Sequence, residues 1–260
     1  MKPINQLTAF SDRLVAAAVM ALLTSVTNAA PAPALKNIVL VHGGLVDASN
    51  WRAVHDILTK DGYHVTAVQE PLTGFDSDVA ATQRVLDRQD GPVLLVGHSY
   101  GGAVITAAGM DPKVKALVYV AAYAPDAGET LTTLNAQVPT DLGKFIQAGA
   151  DGYVSIAPAA QFAAMVGSDL PAATSNFMAD SQVLMAASTF GVKFTMAAWR
   201  SKPSFAIVAT DDLVISPALE RAMYRRAGST VTDIRSGHMV NMSHPEEVAR
   251  VIETAARSVR

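Results

Sequence analysis

Residues 93–102 read Val-Leu-Leu-Val-Gly-His-Ser-Tyr-Gly-Gly and join an apolar run to a glycine-rich turn. The short apolar run predicts a strand that is buried on both faces, and a helix is predicted over about residues 101–109. The pattern Gly-x-Ser-x-Gly between a strand and a helix is typical of a nucleophile elbow, whose sharp turn exposes the serine Oγ at the positive end of the helix. We therefore predict that Ser99 is a nucleophile. The alternative is a surface serine in an ordinary strand–helix turn.

The rest of the chain alternates strand and helix patterns on both sides of this motif. Such alternation predicts an α/β fold, with a mostly parallel sheet of about six strands and helices on both faces. Residues 126–203 break the rhythm, because they are rich in Ala, Gln and Met and carry no strand signal. They predict a helical cap inserted after the fourth strand of a single domain over residues 31–260. A capping box formed by Ser243 and Glu246 is predicted to open the last helix. The predicted strands cover residues 37–41, 63–68, 93–96, 114–123, 205–209 and 230–234.

A serine hydroxyl is a poor nucleophile unless a base accepts its proton, and a carboxylate must orient that base. His238 lies in a loop between the last predicted strand and the last helix, which suits the base. Asp211 and Asp212 follow the fifth strand, and only one can serve because adjacent side chains point in different directions. Asp126, after the fourth strand, is a more distant candidate. The other histidines, which fit packing or surface positions, are His42, His55, His64, His98 and His244.

Acyl transfer also requires N–H groups directed at the oxygen that becomes negative. We predict that the backbone N–H groups of Tyr100, next to the nucleophile, and of Gly44, in the loop after the first strand, supply them. The run His42-Gly43-Gly44 allows a close approach of the backbone there. Its alternative interpretation is a tight turn between a strand and a loop.

On these motifs the chain resembles the α/β-hydrolase superfamily over nearly all of residues 37–257. It is most similar to the branch that contains plant methylesterases, hydroxynitrile lyases and many bacterial esterases. In that family the acid stands three residues after a Gly or Ala that ends the strand, which selects Asp212. The motifs that carry the resemblance are Val41-His42-Gly43 with Trp51, Gly97-His98-Ser99-Tyr100-Gly101-Gly102, Ala209-x-x-Asp212 with Pro217, and Gly237-His238-Met239 leading to Ser243-x-Pro245.

The resemblance implies a serine hydrolase that cleaves a small carboxylic ester through an acyl-enzyme, with no metal or organic cofactor. Hydroxynitrile lyases of this branch carry a Lys directly after the catalytic His and a Thr directly after the first loop His. Met239 and Gly43 occupy those positions here, which favours hydrolysis. Alternatives on the same site are hydrolysis of a lactone or amide, a lyase reaction, or receptor-like binding of a small molecule with little turnover. Apolar cap residues that could line a pocket, or pack in the core, are Phe162, Met165, Phe177, Met185 and Trp199.

The composition excludes several classes of site and partner. The chain has 260 residues, with 20 Lys and Arg against 23 Asp and Glu, and no Cys. The formal net charge of −3 gives no reason to expect a nucleic acid or an anionic membrane as a partner. The lack of Cys excludes disulfides, thiolate zinc sites and cysteine nucleophiles. The partner that the resemblance implies is a small apolar ester.

The first thirty residues differ in character from the rest of the chain. Lys2 and Arg13 precede ten apolar residues at positions 14–23, and the small residues Ala29 and Ala30 follow. Ten apolar residues are about half of the ~20 that a bilayer requires. The pattern predicts a signal peptide over residues 1–30, removed when the protein is exported to the periplasm or secreted. The alternatives are an amphipathic first helix of the mature fold and a start codon assigned too far upstream.

Overall fold

The computed structural model describes residues 35–259, so the predicted signal peptide lies outside the described residues. The strands in this part of the chain are β1 (Asn37–Val41), β2 (His64–Val68), β3 (Val93–His98), β4 (Val114–Val120), β5 (Ile146–Ala148), β6 (Tyr153–Ile156), β7 (Met185–Ala186), β8 (Ser204–Ala209) and β9 (Thr230–Ile234). The α-helices are α1 (Arg52–Lys60), α2 (Phe75–Asp87), α3 (Gly101–Ala108), α4 (Leu131–Gln137), α5 (Ala159–Met165), α6 (Ala172–Asp180), α7 (Pro217–Ala227), α8 (Val240–Ser243) and α9 (Pro245–Ser258). Short 3₁₀ helices cover Ala48–Trp51, Asp141–Lys144, Ala187–Gly191 and Ala198–Arg200.

Six strands form one parallel sheet in the order β2-β1-β3-β4-β8-β9. A core of buried residues covers each face of the sheet. Successive side chains of a strand point to opposite faces, so one strand contributes to both cores. In β1, Ile38 and Leu40 pack in the core that includes α1 and α9. Val39 and Val41 pack in a second core, which includes α2, α3 and α7. The predicted α/β fold and its sheet of about six strands are confirmed.

The strand order reverses direction at β1, so the connections that follow β1 and β3 lead to opposite sides of the sheet. The chain runs from β1 to β2 on one side of β1 and then returns to β3 on its other side. In parallel sheets, ligands bind at the carboxyl ends of the strands beside such a reversal. Val41 pairs with Gly97 in the register of β1 and β3. The loop after β1 and the turn that carries Ser99 therefore lie side by side at this edge of the sheet.

The chain between β4 and β8 contains the insertion that the sequence predicts as a helical cap. Helices α4, α5 and α6 lie in it, as expected, but so does a three-stranded antiparallel sheet in the order β5-β6-β7. The sequence pattern does not predict these strands. They contain only three, four and two residues, which is too short for an alternating pattern to be distinguished from a helical one.

Several predicted element ends differ from the observed ones by one to three residues, and two of the differences have a clear structural cause. Strand β4 ends at Val120 rather than at Tyr123, because Ala121 adopts a positive φ of 44° and turns the chain. The last helix begins at Pro245 and its N-cap residue makes no side-chain hydrogen bond, so the predicted capping box does not form. Ser243 belongs to the short helix α8, and its Oγ donates to Asp169 instead (2.6 Å).

Candidate active site

Ser99 lies in the turn between β3 and α3 and has a left-handed backbone, with φ of 54°. A serine in this region of φ is strained, and it persists only where the surrounding structure holds it. The N–H of Ser99 donates to the carbonyl oxygen of Val120 (3.2 Å). Its own carbonyl oxygen accepts from the N–H groups of Gly102 (3.0 Å) and Tyr123 (3.1 Å). The strained turn is therefore tied both to β4 and to the first turn of α3, as a nucleophile elbow requires.

Three predicted side chains meet at the carboxyl edge of the sheet. His238 Nε2 lies 2.9 Å from Ser99 Oγ, and His238 Nδ1 lies 2.7 Å from Asp212 Oδ2. The other carboxylate oxygen of Asp212 accepts from the N–H groups of Val214 (2.6 Å) and Ile215 (3.1 Å), which fix its orientation. Ser99, His238 and Asp212 are 8%, 3% and 4% exposed. An imidazole held in this way can accept the serine proton while the carboxylate stabilises the imidazolium.

The other two carboxylates considered as the orienting acid lie in different surroundings. Asp211 is exposed, and its Oδ2 is 3.5 Å from Nε of Arg235. Asp126 pairs with the exposed guanidinium of Arg200. Of the three candidates, the structure brings Asp212 to the histidine and leaves Asp211 and Asp126 outside the site.

Two buried histidines support the loops of the site. His98 donates from Nε2 to the carbonyl oxygen of His238 (3.0 Å). His42 accepts at Nε2 from the N–H of Glu70 (2.9 Å), so its proton is on Nδ1, which donates to the carbonyl oxygen of Gly43 (2.8 Å). Burial lowers the pKa of both imidazoles, which favours their neutral forms. Both therefore serve as neutral donors that hold the backbone next to the reacting groups.

The two predicted oxyanion donors border the same space as Ser99 Oγ. Gly44 and Tyr100 line the cavity that also contains Ser99 and His238. Among residues 35–259, no protein group accepts a hydrogen bond from the backbone N–H of Gly44 or Tyr100. Both N–H groups are therefore available to a ligand, as stabilisation of a negative oxygen requires.

A cavity of about 340 Å³ lies over Ser99 and is lined by residues of the sheet edge and of the insertion. No Asp, Glu, Lys or Arg of the described chain lines it. Its polar groups apart from Ser99 and His238 include Thr132, Thr140 and the pair Tyr123 and Asn135, in which the phenol O–H donates to the amide oxygen (2.8 Å). A cavity of this size and chemistry fits a small uncharged molecule. Residues 35–259 contain no cluster of three or more His, Cys, Asp or Glu that could bind a metal ion.

Two of the five apolar cap residues considered for the pocket line this cavity. They are Phe162, from α5, and Met185, from β7. Met165 faces a different cavity, and Phe177 is 71% exposed. Trp199 is buried and donates from its indole N–H to the carbonyl oxygen of Pro125 (2.8 Å). Helical spacing in the cap therefore did not distinguish residues of the pocket from residues of the core or, for Phe177, of the surface.

Two acidic residues near Asp212 and His238 were not predicted from the sequence. Glu220 is fully buried in the first turn of α7, and burial, followed by the charge of Asp212, raises its pKa well above the usual range. Its position could have been noticed, because an acidic residue four positions before Tyr224 interrupts the apolar face of that helix. Asp169, between α5 and α6, accepts hydrogen bonds from the loop that carries His238. No sequence pattern marks Asp169.

Comparisons with known proteins identify relatives of this chain. The model of the alpha/beta hydrolase family matches residues 38–251. Alpha/beta hydrolase nvfD from Aspergillus novofumigatus is 26% identical over 244 residues, which cover 84% of this chain and 96% of that protein. Polyneuridine aldehyde esterase from Rauvolfia serpentina is 31% identical over 134 residues, which cover 44% of this chain and 51% of that protein. The crystal structure of a pyrethroid hydrolase from Sphingobium faniae JZ-2 has the same fold, with a TM-score of 0.72 and 23% identity over 85% of this chain and 97% of that one.

The family model covers most of the residues that the structure describes, including all of β1 except its first residue and all of β3, β4, β8 and β9. Proteins named methylesterase and alpha-hydroxynitrile lyase, both from Arabidopsis thaliana, are also among the relatives. The resemblance predicted from the sequence motifs is therefore confirmed. The chain belongs to the alpha/beta hydrolase family.

Proposed function

We propose that this chain is a serine hydrolase that cleaves small carboxylic esters. The observation that carries the proposal is the set of hydrogen bonds from Asp212 through His238 to Ser99, with distances of 2.7 and 2.9 Å, beside an apolar cavity. Relatives named as esterases support the same class of enzyme, a carboxylic ester hydrolase. Met239 and Gly43 stand where the related lyases carry Lys and Thr, which supports hydrolysis rather than cleavage of a cyanohydrin.

Acylation begins when Ser99 Oγ attacks the carbonyl carbon of the ester and its proton passes to His238 Nε2. Asp212 accepts the hydrogen bond from His238 Nδ1 and stabilises the imidazolium that forms. The carbonyl oxygen becomes negative and accepts hydrogen bonds from the N–H groups of Gly44 and Tyr100. When the tetrahedral intermediate collapses, the bond to the alcohol oxygen breaks and His238 returns the proton to that oxygen. The products are the free alcohol and an acyl group on Ser99.

Deacylation repeats these steps with water in place of the serine hydroxyl. His238 takes a proton from the water, and the resulting hydroxide attacks the acyl carbon. The same two N–H groups stabilise the second tetrahedral intermediate. Collapse of this intermediate breaks the bond to Ser99 Oγ, which regains its proton from His238, and the carboxylic acid leaves. Every proton and bond is therefore accounted for by Ser99, His238 and water.

The chemistry of the cavity supports an uncharged substrate. Among the described residues, none with a formally charged acidic or basic side chain lines it, so a charged group on the substrate would lose its hydration without gaining an ion pair. The apolar lining gains instead from burying alkyl or aromatic groups of the acyl or alcohol part. We expect neutral esters to be cleaved much faster than analogues of similar size that carry a charge.

The test compares hydrolysis of p-nitrophenyl acetate and butyrate by the wild type and by Ser99→Ala. Loss of a triad serine lowers kcat by about 10³-fold or more in related chemistry, and we expect a loss of this size. Ser201→Ala is the matched control, because Ser201 is exposed and does not line the cavity. Mass spectrometry of the enzyme quenched during turnover is expected to find the acyl group on Ser99. Full activity in Ser99→Ala would contradict the proposal.

The same assay separates the esterase from the alternatives. Tight binding of an uncharged ester by the wild type without release of p-nitrophenol would favour a receptor-like role. A panel of esters, lactones and amides identifies the bond that is cleaved, because the same groups can attack each of these carbonyl carbons.

A further inference from the structure

Asp169 contacts the loop that carries the proposed base. It lies in the insertion between α5 and α6, and one of its carboxylate oxygens, Oδ2, accepts three hydrogen bonds. The donors are Ser236 Oγ (2.9 Å), the N–H of Gly237 (2.9 Å) and Ser243 Oγ (2.6 Å). We call residues 236–243, the last four of which form the short helix α8, the histidine loop. Hydrogen bonds to a carboxylate are about twice as strong as hydrogen bonds between neutral groups.

The backbone of Gly237 in the histidine loop lies close to both Ser168 and Asp169 of the insertion. A Cβ at position 237 would lie 2.5 Å from Ser168 Oγ and 2.8 Å from Asp169 Oδ1. Only a glycine allows the loop backbone to approach the insertion to this distance without displacing either residue. Gly237 directly precedes His238, so the carboxylate is bonded to the peptide group next to the proposed base.

His238 lies between the end of β9 and the start of α8, so contacts with other parts of the chain must fix its position. Strand β9 ends at Ile234, four residues earlier in the chain. On the side of the sheet, His98 donates to the carbonyl oxygen of His238 (3.0 Å), and the N–H of Asp211 donates to the carbonyl oxygen of Ser236 (3.0 Å). On the side of the insertion, Asp169 bonds the two residues before His238. The imidazole is therefore held between two anchors, of which one belongs to the insertion.

We infer that Asp169 is a positioning residue, which holds the histidine loop so that His238 Nε2 meets Ser99 Oγ. The inference rests on the proposed function, because it assigns Asp169 its effect through the proposed base. Helix α5 also lines the cavity with Phe162, so the part of the chain that borders the substrate space also anchors the base. Asp169 itself does not line the cavity. Its loss is therefore expected to affect kcat much more than KM.

The kinetic test compares Asp169→Ala and Asp169→Asn with the wild type. A misplacement of about 1 Å from a distant change can lower the rate about 100-fold, so we expect kcat to fall about 100-fold in Asp169→Ala, with KM changed by about twofold or less. Asn keeps an acceptor oxygen but loses the charge, so we expect the kcat of Asp169→Asn to be about tenfold higher than that of Asp169→Ala and about tenfold lower than that of the wild type. Asp180→Asn is the matched control, because Asp180 is an exposed aspartate of the insertion outside the cavity.

A second measurement does not require turnover. The proton on His238 Nδ1 that bonds to Asp212 should give a low-field resonance in the ¹H NMR spectrum. We expect this resonance in the wild type, Ser99→Ala and Asp180→Asn, and its broadening or loss in folded Asp169→Ala. If the wild type has no esterase activity, the proposed function fails, and the resonance still tests the anchor. An unchanged resonance and unchanged kcat in Asp169→Ala would overturn the inference, as would a fall in kcat that disappears at a temperature at which the variant is fully folded.

Discussion

Asp211 and Asp212 are adjacent in the chain but have different surroundings. The side chain of Asp212 is buried, accepts from two backbone N–H groups and lies 2.7 Å from His238, whereas that of Asp211 is exposed beside Arg235. We predict that Asp212→Asn lowers kcat about 10³- to 10⁴-fold, because an amide cannot hold the imidazole in the required tautomer. Asp211→Asn is the matched control and should retain activity within about twofold. Equal losses in the two variants, measured with p-nitrophenyl butyrate, would contradict this assignment.

The residues found from sequence are those that a local pattern or the chain order identifies. Ser99 lies in a pattern that also fixes its turn, and His238 follows from its place after the last strand. Asp169 reaches Ser236 across 67 residues of sequence, and no spacing rule connects them. Glu220 approaches Asp212 only because α7 packs beside the loop after β8. Such contacts depend on the packing of whole elements, which a residue pattern does not contain.

The central strands of the main sheet, β1, β3, β4 and β8, were predictable because each is a short, mainly apolar run. The buried strands β1 and β3 each have no exposed residue, as the sequence of a central parallel strand requires. The small sheet in the insertion has strands of two to four residues, so tertiary packing rather than propensity decides its conformation. The capping box failed because Ser243 lies within α8, so that His244 and not Ser243 occupies the N-cap position of α9.

The end of α7 gives a prediction for a single element. The helix ends at Ala227, and the residue that caps it, Gly228, has a left-handed backbone with φ of 65°. A Cβ there would meet no atom within 4 Å, so Gly228→Ala introduces no steric clash with other residues. We expect it to lower the free energy of unfolding by about 1 kcal/mol, because alanine is less stable than glycine in a left-handed backbone conformation. Gly191→Ala is the control, because its Cβ would also meet nothing but its φ is not positive. Urea denaturation should find Gly228→Ala less stable and Gly191→Ala nearly unchanged; equal losses would contradict the backbone argument.

At the scale of the whole molecule, we propose that the chain is exported and loses its first thirty residues. None of the helices in residues 35–259 is long and apolar enough to cross a membrane. The proposal rests on the apolar run at positions 14–23 and on the small residues that follow it. N-terminal sequencing of the protein recovered from the periplasm or the medium should begin near Ala30 or Pro31. Val19→Arg, which interrupts the apolar run, should keep the full-length chain inside the cell, and a wild type that starts at Met1 would contradict export.

Stability against pH is expected to depend on Glu70, a buried carboxyl group without a hydrogen-bond partner in the described part of the chain. Burial, and then the charge of Asp78, raises the pKa of Glu70 well above its ordinary value of 4.5. The folded state therefore binds the proton of the Glu70 carboxyl group more tightly than the unfolded state does. The contribution of this proton to the free energy of unfolding is complete below pH 4.5 and is lost as the pH rises toward the raised pKa. Glu70→Gln mimics the neutral form and should raise Tm, relative to the wild type, by more at pH 8 than at pH 5. A gain of 1 kcal/mol corresponds to about 2–4 °C in a protein of this size. Glu246→Gln, at an exposed position, is the control and should give the same Tm difference at both pH values. Calorimetry measures both variants. If the Tm difference for Glu70→Gln is also the same at pH 5 and pH 8, ionisation of Glu70 does not destabilise the folded state.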